Sequence, residues 1–175
     1  MQVKLPVHSY RLDSLTASNS RLINSFAEAV PDGKQPARLT RAPGILSFST
    51  PSAAVGRGIW EMAGVLYAVV GSTLYSVNSA GSTTSLGTIA GSQRCTMTDN
   101  GTELVVGENG GTWYVYDGSL AAIADADFLA WGAKSTAFID GFIAFIEPDS
   151  GRWFISDLQN AASYDSNQFD FSMGS

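Results

Sequence analysis

From about Gly58 onward the chain repeats itself, and the period of the repeat restricts the fold more than any other feature of the sequence. Gly64, Gly101 and Gly141 each precede an apolar run: VLYAVV (65–70), ELVV (103–106) and FIAFI (142–146). A second turn then leads into an aromatic run: STLYSV (72–77), GTWYVY (111–116) and GRWFIS (151–156). The glycines are 37 and 40 residues apart, and Tyr75, Tyr114 and Phe154 are 39 and 40 apart. Repeats of roughly 40–50 residues built from short strands mark β-propeller blades. Asn100-Gly101, Asp117-Gly118 and Asp140-Gly141 are pairs that tolerate positive φ and stand where hairpins need them. Two further strands, TTSLGTIA (83–90) and SLAAIA (119–124), bring each unit close to four.

The reading is therefore all-β: propeller-like blades of antiparallel strands near 58–91, 92–130 and 131–175, behind an extended N-terminal arm, 1–57. The 18 glycines and abundant Ser and Thr suit many tight turns. A small sheet cannot bury both of its faces, so blades must stack on neighbours. Three units are too few to close a ring, since propellers usually have at least four blades. The sequence is accordingly expected to belong to a longer chain, or to take its missing contacts from other chains.

Residues 1–57 hold no sustained periodicity. Pro6, Pro31, Pro36, Pro43 and Pro51 break them into extended pieces. The one helix candidate is short, SRLINSFAEAV (20–30), ended by Pro31. Charge divides at the same place. Residues 1–57 carry seven Lys/Arg against three Asp/Glu, or +4; residues 58–175 carry three against thirteen, or −10; together they give the net −6. Such a balance excludes a general nucleic-acid surface, which needs clustered cations, and no sequence-specific nucleic-acid binding is expected. The longest apolar run, 65–70, is far below a bilayer span, and Met1 to Leu15 lacks a signal-peptide core, so no membrane anchor is expected.

Residues that could carry chemistry have simpler readings. Cys95 is the only cysteine and His8 the only histidine, far apart in sequence, which leaves no zinc-type cluster and no credible nucleophile and base. Asp125 and Asp127 lack the further oxygen ligands and spaced Gly of a calcium loop and read as a connector. Asp99, Glu108, Asp140, Glu147 and Asp149 could be paired for glycoside hydrolysis, yet most sit beside Gly, Asn or Pro in turns. The run GENGG (107–111) lacks the Lys-Ser/Thr of a phosphate loop and reads as a hairpin connection, and the sequon Asn100-Gly101-Thr102 reads as a turn. Trp60, Tyr67, Tyr75, Trp113, Tyr114, Tyr116, Trp153 and Phe154 read as blade packing. No enzyme activity, metal or cofactor is expected.

Four stretches together resemble a known family. They are SRLINSFAEAVPDGKQPARLTRAPGILSFSTP (20–51), RGIWEMAGVLYAVVGSTLYSV (57–77), GTIAGSQRCTMTDNGTELVVG (87–107) and FIDGFIAFIEPDSGRWFISDL (138–158). The chain is similar to the packaged-DNA stabilisation proteins of short-tailed bacteriophages, also called tail accessory or tail hub proteins. The resemblance implies a propeller-like virion protein, made in the host cytoplasm. It would form a ring of its own copies below portal and adaptor, help close the DNA channel, and carry the tail needle and spikes. It also implies a longer natural polypeptide. The alternative is a propeller that binds or cleaves host-surface polysaccharide. The basic arm supplies the candidate subunit interface: Arg21, Asn24, Lys34, Arg38, Arg41, Pro43 and Arg57, with Arg favoured for bidentate carboxylate contacts.

Overall fold

A computed structural model describes residues 23–29 and 37–172. The chain divides into two units, one up to Ser47 and one from Phe48. In the first, β1 (Ser25–Ala29) pairs antiparallel with β2 (Ala37–Arg41), placing Glu28 opposite Arg38 and Phe26 opposite Thr40. Residues 25–29 are thus strand, where the sequence suggested a short helix over 20–30. A helix that short is marginal without a partner. Pairing with 37–41 instead satisfies the backbone, and Glu28 accepts hydrogen bonds from Arg38 Nε (2.8 Å) and Thr40 Oγ1 (3.1 Å) across the ladder.

The second unit holds three four-stranded antiparallel sheets, so the expected all-β blades are present. The first comprises β3 (Gly56–Met62), β4 (Val65–Val70), β5 (Thr73–Val77) and β6 (Thr83–Thr88). The second comprises β7 (Thr96–Asp99), β8 (Leu104–Gly107), β9 (Trp113–Tyr116) and β10 (Leu120–Ala122). A six-residue helix, α1 (Ala126–Trp131), precedes the third sheet of β11 (Ser135–Ile139), β12 (Phe142–Ile146), β13 (Arg152–Asp157) and β14 (Asn160–Phe171). In each sheet the strands lie in chain order, with β3, β7 and β11 at one edge, and these three edge strands are neighbours. The turns follow local chemistry: Asp140 (φ 47°) and Gly141 (φ 91°) both take the left-handed conformation between β11 and β12.

Alternation along the strands decides how the sheets stack. On β8, Leu104 and Val106 face back toward the first sheet, joining Met62, Tyr67, Val69, Leu74, Ile89, Cys95 and Met97 in one core. Val105 faces forward, with Trp113 and Val115, onto Ile143, Phe145 and Phe154 of the third sheet in a second core. The middle sheet is buried on both faces because its side chains alternate with period two. Ahead of β3, residues 49–55 form a tether fastened at two turns. Ser49 Oγ donates to Gly81 O (2.8 Å), and Gly71 N donates to Val55 O (2.8 Å).

Candidate interaction surfaces and the contacts between sheets

The first two sheets are joined through a buried charge. Arg57 on β3 is 6% exposed and spends its guanidinium on five acceptors. Nε donates to Gln93 O (2.7 Å), Nη1 to Gly71 O (3.0 Å) and Ile89 O (3.2 Å), and Nη2 to Ala90 O (3.0 Å) and Glu108 Oε2 (2.8 Å). Glu108 Oε2 also accepts from Gln93 N (2.8 Å). The carboxylate fits only because Gly91 carries no side chain: a Cβ there would collide with Glu108 Oε1, and Gly91 holds φ +83°. A guanidinium can satisfy its full donor set in this way, which makes burial of the charge tolerable. Nearby, Trp60 Nε1 donates to Asp99 Oδ2 (2.6 Å), and Tyr114 Oη accepts from Ala90 N (3.2 Å).

The second and third sheets meet through rings. Phe145 stacks on Phe154 with centroids 5.5 Å apart, and Phe128 of α1 meets Phe145 edge-on at 5.1 Å. Trp113 meets Phe145 edge-on at 5.3 Å and donates Nε1 to Ala133 O (3.1 Å). Further polar ties are part-buried. Asp125 caps α1, accepting from Asp127 N (3.0 Å) and Phe128 N (3.1 Å), and its other oxygen accepts from Tyr164 N (3.3 Å). Glu103 accepts from Ala161 N (2.9 Å) of β14. Burial, reinforced by the Asp125 and Glu103 charges, pushes the Tyr164 hydroxyl far up, and that hydroxyl donates to Ala161 O.

The acids weighed for catalysis are occupied by structure. Asp99 binds Trp60 and Gly101 N, Glu108 binds Arg57, and Glu147 pairs with Arg152 at 2.8 Å. Asp140 and Asp149 hold positive-φ turn positions. Asn100 Oδ1 accepts from Thr102 N and Glu103 N in its own turn. Cys95 is buried, which pushes its thiol up, while Arg57 works in the opposite direction; His8 lies outside the described residues. Of the aromatics, Tyr67, Trp113 and Phe154 are buried, Tyr75, Tyr114 and Tyr116 half-buried, and Trp60 and Trp153 more exposed. Among the described residues no helix is long and apolar enough to cross a membrane.

The candidate interface residues separate into three groups. Arg21 and Lys34 lie outside the described residues. Asn24, Arg38, Arg41 and Pro43 are exposed on the hairpin unit; Asn24 O accepts from Ala42 N (2.8 Å), and Arg38 is paired with Glu28 at 2.8 Å. Arg57 does not belong with them. It sits inside the second unit as the donor of a buried ion pair, because β3 begins at Gly56, one residue before it.

A family model described as Bacteriophage P22 Gp10, beta-propeller, matches residues 10–173. The chain belongs to this family. No curated protein matches it in sequence. Membership in the Gp10 family makes it a phage structural protein of the DNA-stabilisation class, with the four-stranded antiparallel sheets of a propeller. The sequence reading missed two devices of this Gp10-family chain: Glu108 with Arg57, and Glu103 with Ala161. Those partners are 51 and 58 residues apart. The one local sign was the glycine density around Glu108, with Gly91, Gly107, Gly110 and Gly111.

Proposed function

We propose that the chain acts as a structural component of the tail of a short-tailed phage. It contributes to a ring of its own copies below portal and adaptor, where it helps retain packaged DNA and carries needle or spikes. The observation that carries this reading is the family match over residues 10–173, on a body in which Glu103 and Glu108 are engaged between sheets. The hairpin unit serves as the docking arm. It presents Arg38 and Arg41 to solvent, whereas residues 58–175 carry −10. Complementary charge of this kind sets register and encounter rate between subunits more than it sets fold stability.

The test is sedimentation of the chain with isolated portal–adaptor complexes, for the wild type and for Arg41→Glu. Arg41 is the cleaner choice, since Arg38→Glu would also break the pair with Glu28. The expected result is weaker co-sedimentation for the variant, weaker wild-type association at high salt as exposed charges are screened, and unchanged melting of the sheets. Co-sedimentation unaffected by both charge reversal and salt would overturn the arm assignment. Reproducible binding of the chain to host polysaccharide on a glycan array would favour a host-recognition role over a tail ring.

A further inference from the structure

The turn between β4 and β5, Gly71-Ser72, is a meeting point for three parts of the second unit. Gly71 N donates to Val55 O of the tether (2.8 Å), and Gly71 O accepts from Arg57 Nη1 (3.0 Å). Ser72 O accepts from Ile89 N (2.9 Å), at the start of the segment that links the first sheet to the second. The turn also fits closely under the tether. A Cβ on Gly71 would stand 2.9 Å from the Cβ of Ala54, and Gly71 holds φ +60°. Three consecutive contacts thus run from the tether to the second sheet: Val55 to Gly71, Gly71 to Arg57, and Arg57 to Glu108.

The two ends of that series differ in how easily they open. Arg57 has nothing to spare. Its side chain holds Ile89 O, Ala90 O and Gln93 O, and its own carbonyl accepts from Cys95 N (2.8 Å), so it fixes the linking segment 89–95 at both ends. A buried guanidinium that loses an acceptor keeps its desolvation cost without the bond. The tether, by contrast, lies on the surface. Ala53, Ala54 and Val55 are exposed, and the bonds to Gly81 O and from Gly71 N fasten its two ends. Segments with few buried contacts open locally at low cost. An element that lifts easily is therefore joined, through one turn, to a charge that needs every partner.

We propose that the tether 49–55 is a coupling strap: seated on the Gly71 turn it keeps Arg57 closed on Glu108, and lifted it loosens the seam between the first and second sheets. The tether is covalently continuous with the hairpin unit, so whatever engages that unit sets how firmly these two sheets are joined. Coupling between two sites is reciprocal, and loosening the seam must also free the tether. Only what lifts the tether rests on the docking-arm reading. The coupling itself belongs to the chain alone and is tested without a partner, so an Arg41→Glu variant that still binds portal and adaptor would leave it standing.

The test uses the full 175-residue chain, with Cys95 alkylation reporting the seam and amide exchange at Gly71 reporting the tether. Gly71→Ala sets a methyl against Ala54 and lifts the tether. Gly64→Ala is its control, since it carries left-handed strain too (φ +79°), at a turn of the same sheet where a Cβ meets nothing within 4 Å. Adding Ala54→Gly to Gly71→Ala relieves the collision and keeps the strain. At matched stability, Cys95 alkylation should be several-fold faster in Gly71→Ala than in Gly64→Ala, and the added Ala54→Gly should return it to the control rate. From the other side, Glu108→Ala should accelerate exchange of Gly71 N–H more than that of Lys134 N–H, which is bonded to Ile146 O in the third sheet. Three results would overturn the proposal: equal alkylation in Gly71→Ala and Gly64→Ala, no reversal by Ala54→Gly, or Gly71 exchange that keeps step with Lys134 in Glu108→Ala. Should Gly71→Ala fail to fold, Ser49→Ala replaces it, removing only the donor to Gly81 O. Faster Gly71 exchange together with faster Cys95 alkylation then supports the coupling, and unchanged alkylation overturns it.

Discussion

Between the first and second sheets the core is aliphatic and sulfur-rich, with Met62, Val69, Leu74, Cys95 and Met97 around the Arg57–Glu108 pair. Between the second and third it is aromatic, with Phe128, Phe145 and Phe154 in mutual contact and Trp113 against Phe145, and it holds no ion pair among the described residues. The strands, turns and register are alike in both places. A repeating backbone therefore does not dictate how its units are joined. One joint depends on a charge that must find every partner, the other on shape and area, and the two should fail differently.

Removing the carboxylate of the first joint should have the largest effect. Glu108→Ala leaves a guanidinium buried without its counter-charge, and loss of one partner of a buried pair typically costs about 3–5 kcal/mol. Chemical denaturation should show a loss of that size, and alkylation of Cys95, which is shielded in the same core, should accelerate at native conditions. The double replacement Arg57→Met with Glu108→Leu should recover little of the loss, since it removes the unmatched charge but strips the Gly71, Ile89, Ala90 and Gln93 carbonyls of their donor. If Glu108→Ala melts as the wild type does, the contrast between the joints has no energetic basis.

In the second joint, Phe145→Ala should cost about 3–5 kcal/mol through lost area and a residual cavity. The loss should be nearly independent of salt, and Cys95 alkylation should rise less than in Glu108→Ala at matched stability. Equal alkylation in both variants would mean that the three sheets open as one body. A smaller loss, about 1 kcal/mol, is expected for Asp125→Ala, which removes the cap of α1 and the acceptor for Tyr164 N. Thermal melting should report it, and an unchanged midpoint would show that α1 is held by Phe128 alone.

The smallest effect lies in the hairpin unit. Hydrogen bonding from Arg38, then from Thr40, holds the Glu28 carboxyl below the ordinary carboxylate value. A depressed folded value means that the stabilisation is present at neutral pH and is lost as pH falls through the carboxylate range. The Glu28 side chain is 43% exposed, so the change should be slight. It should be visible as a shift of the Thr40 amide resonance on acidification, and Glu28→Gln should abolish that shift.

Sequence made the sheets legible because two independent signals agreed at each hairpin. Apolar runs marked VLYAVV and FIAFI, and Asn100-Gly101 and Asp140-Gly141 supplied residues able to hold the left-handed turn positions. It failed where partners are distant or elements short. Arg57 read as one more arm cation because its acceptors come from backbone carbonyls at Gly71, Ile89, Ala90 and Gln93, which no side-chain pattern reveals. The segment ADFLAW has too few turns for helical periodicity to register, although Asp125 before it is a conventional cap. The 25–29 strand was hidden because its pairing with 37–41, not its own composition, decides its conformation.

The tether ahead of β3 bears on how the body would answer a mechanical pull. Tension arriving along residues 49–55 does not enter the first sheet only at the end of β3, where hydrogen bonds would break in succession like a zip. It is diverted at Ser49 to the Gly81 turn and at Val55 to the Gly71 turn, which lie at opposite ends of β5. The pull is thereby spread along a central strand of that sheet, whose ladders must shear together before β3 is stripped.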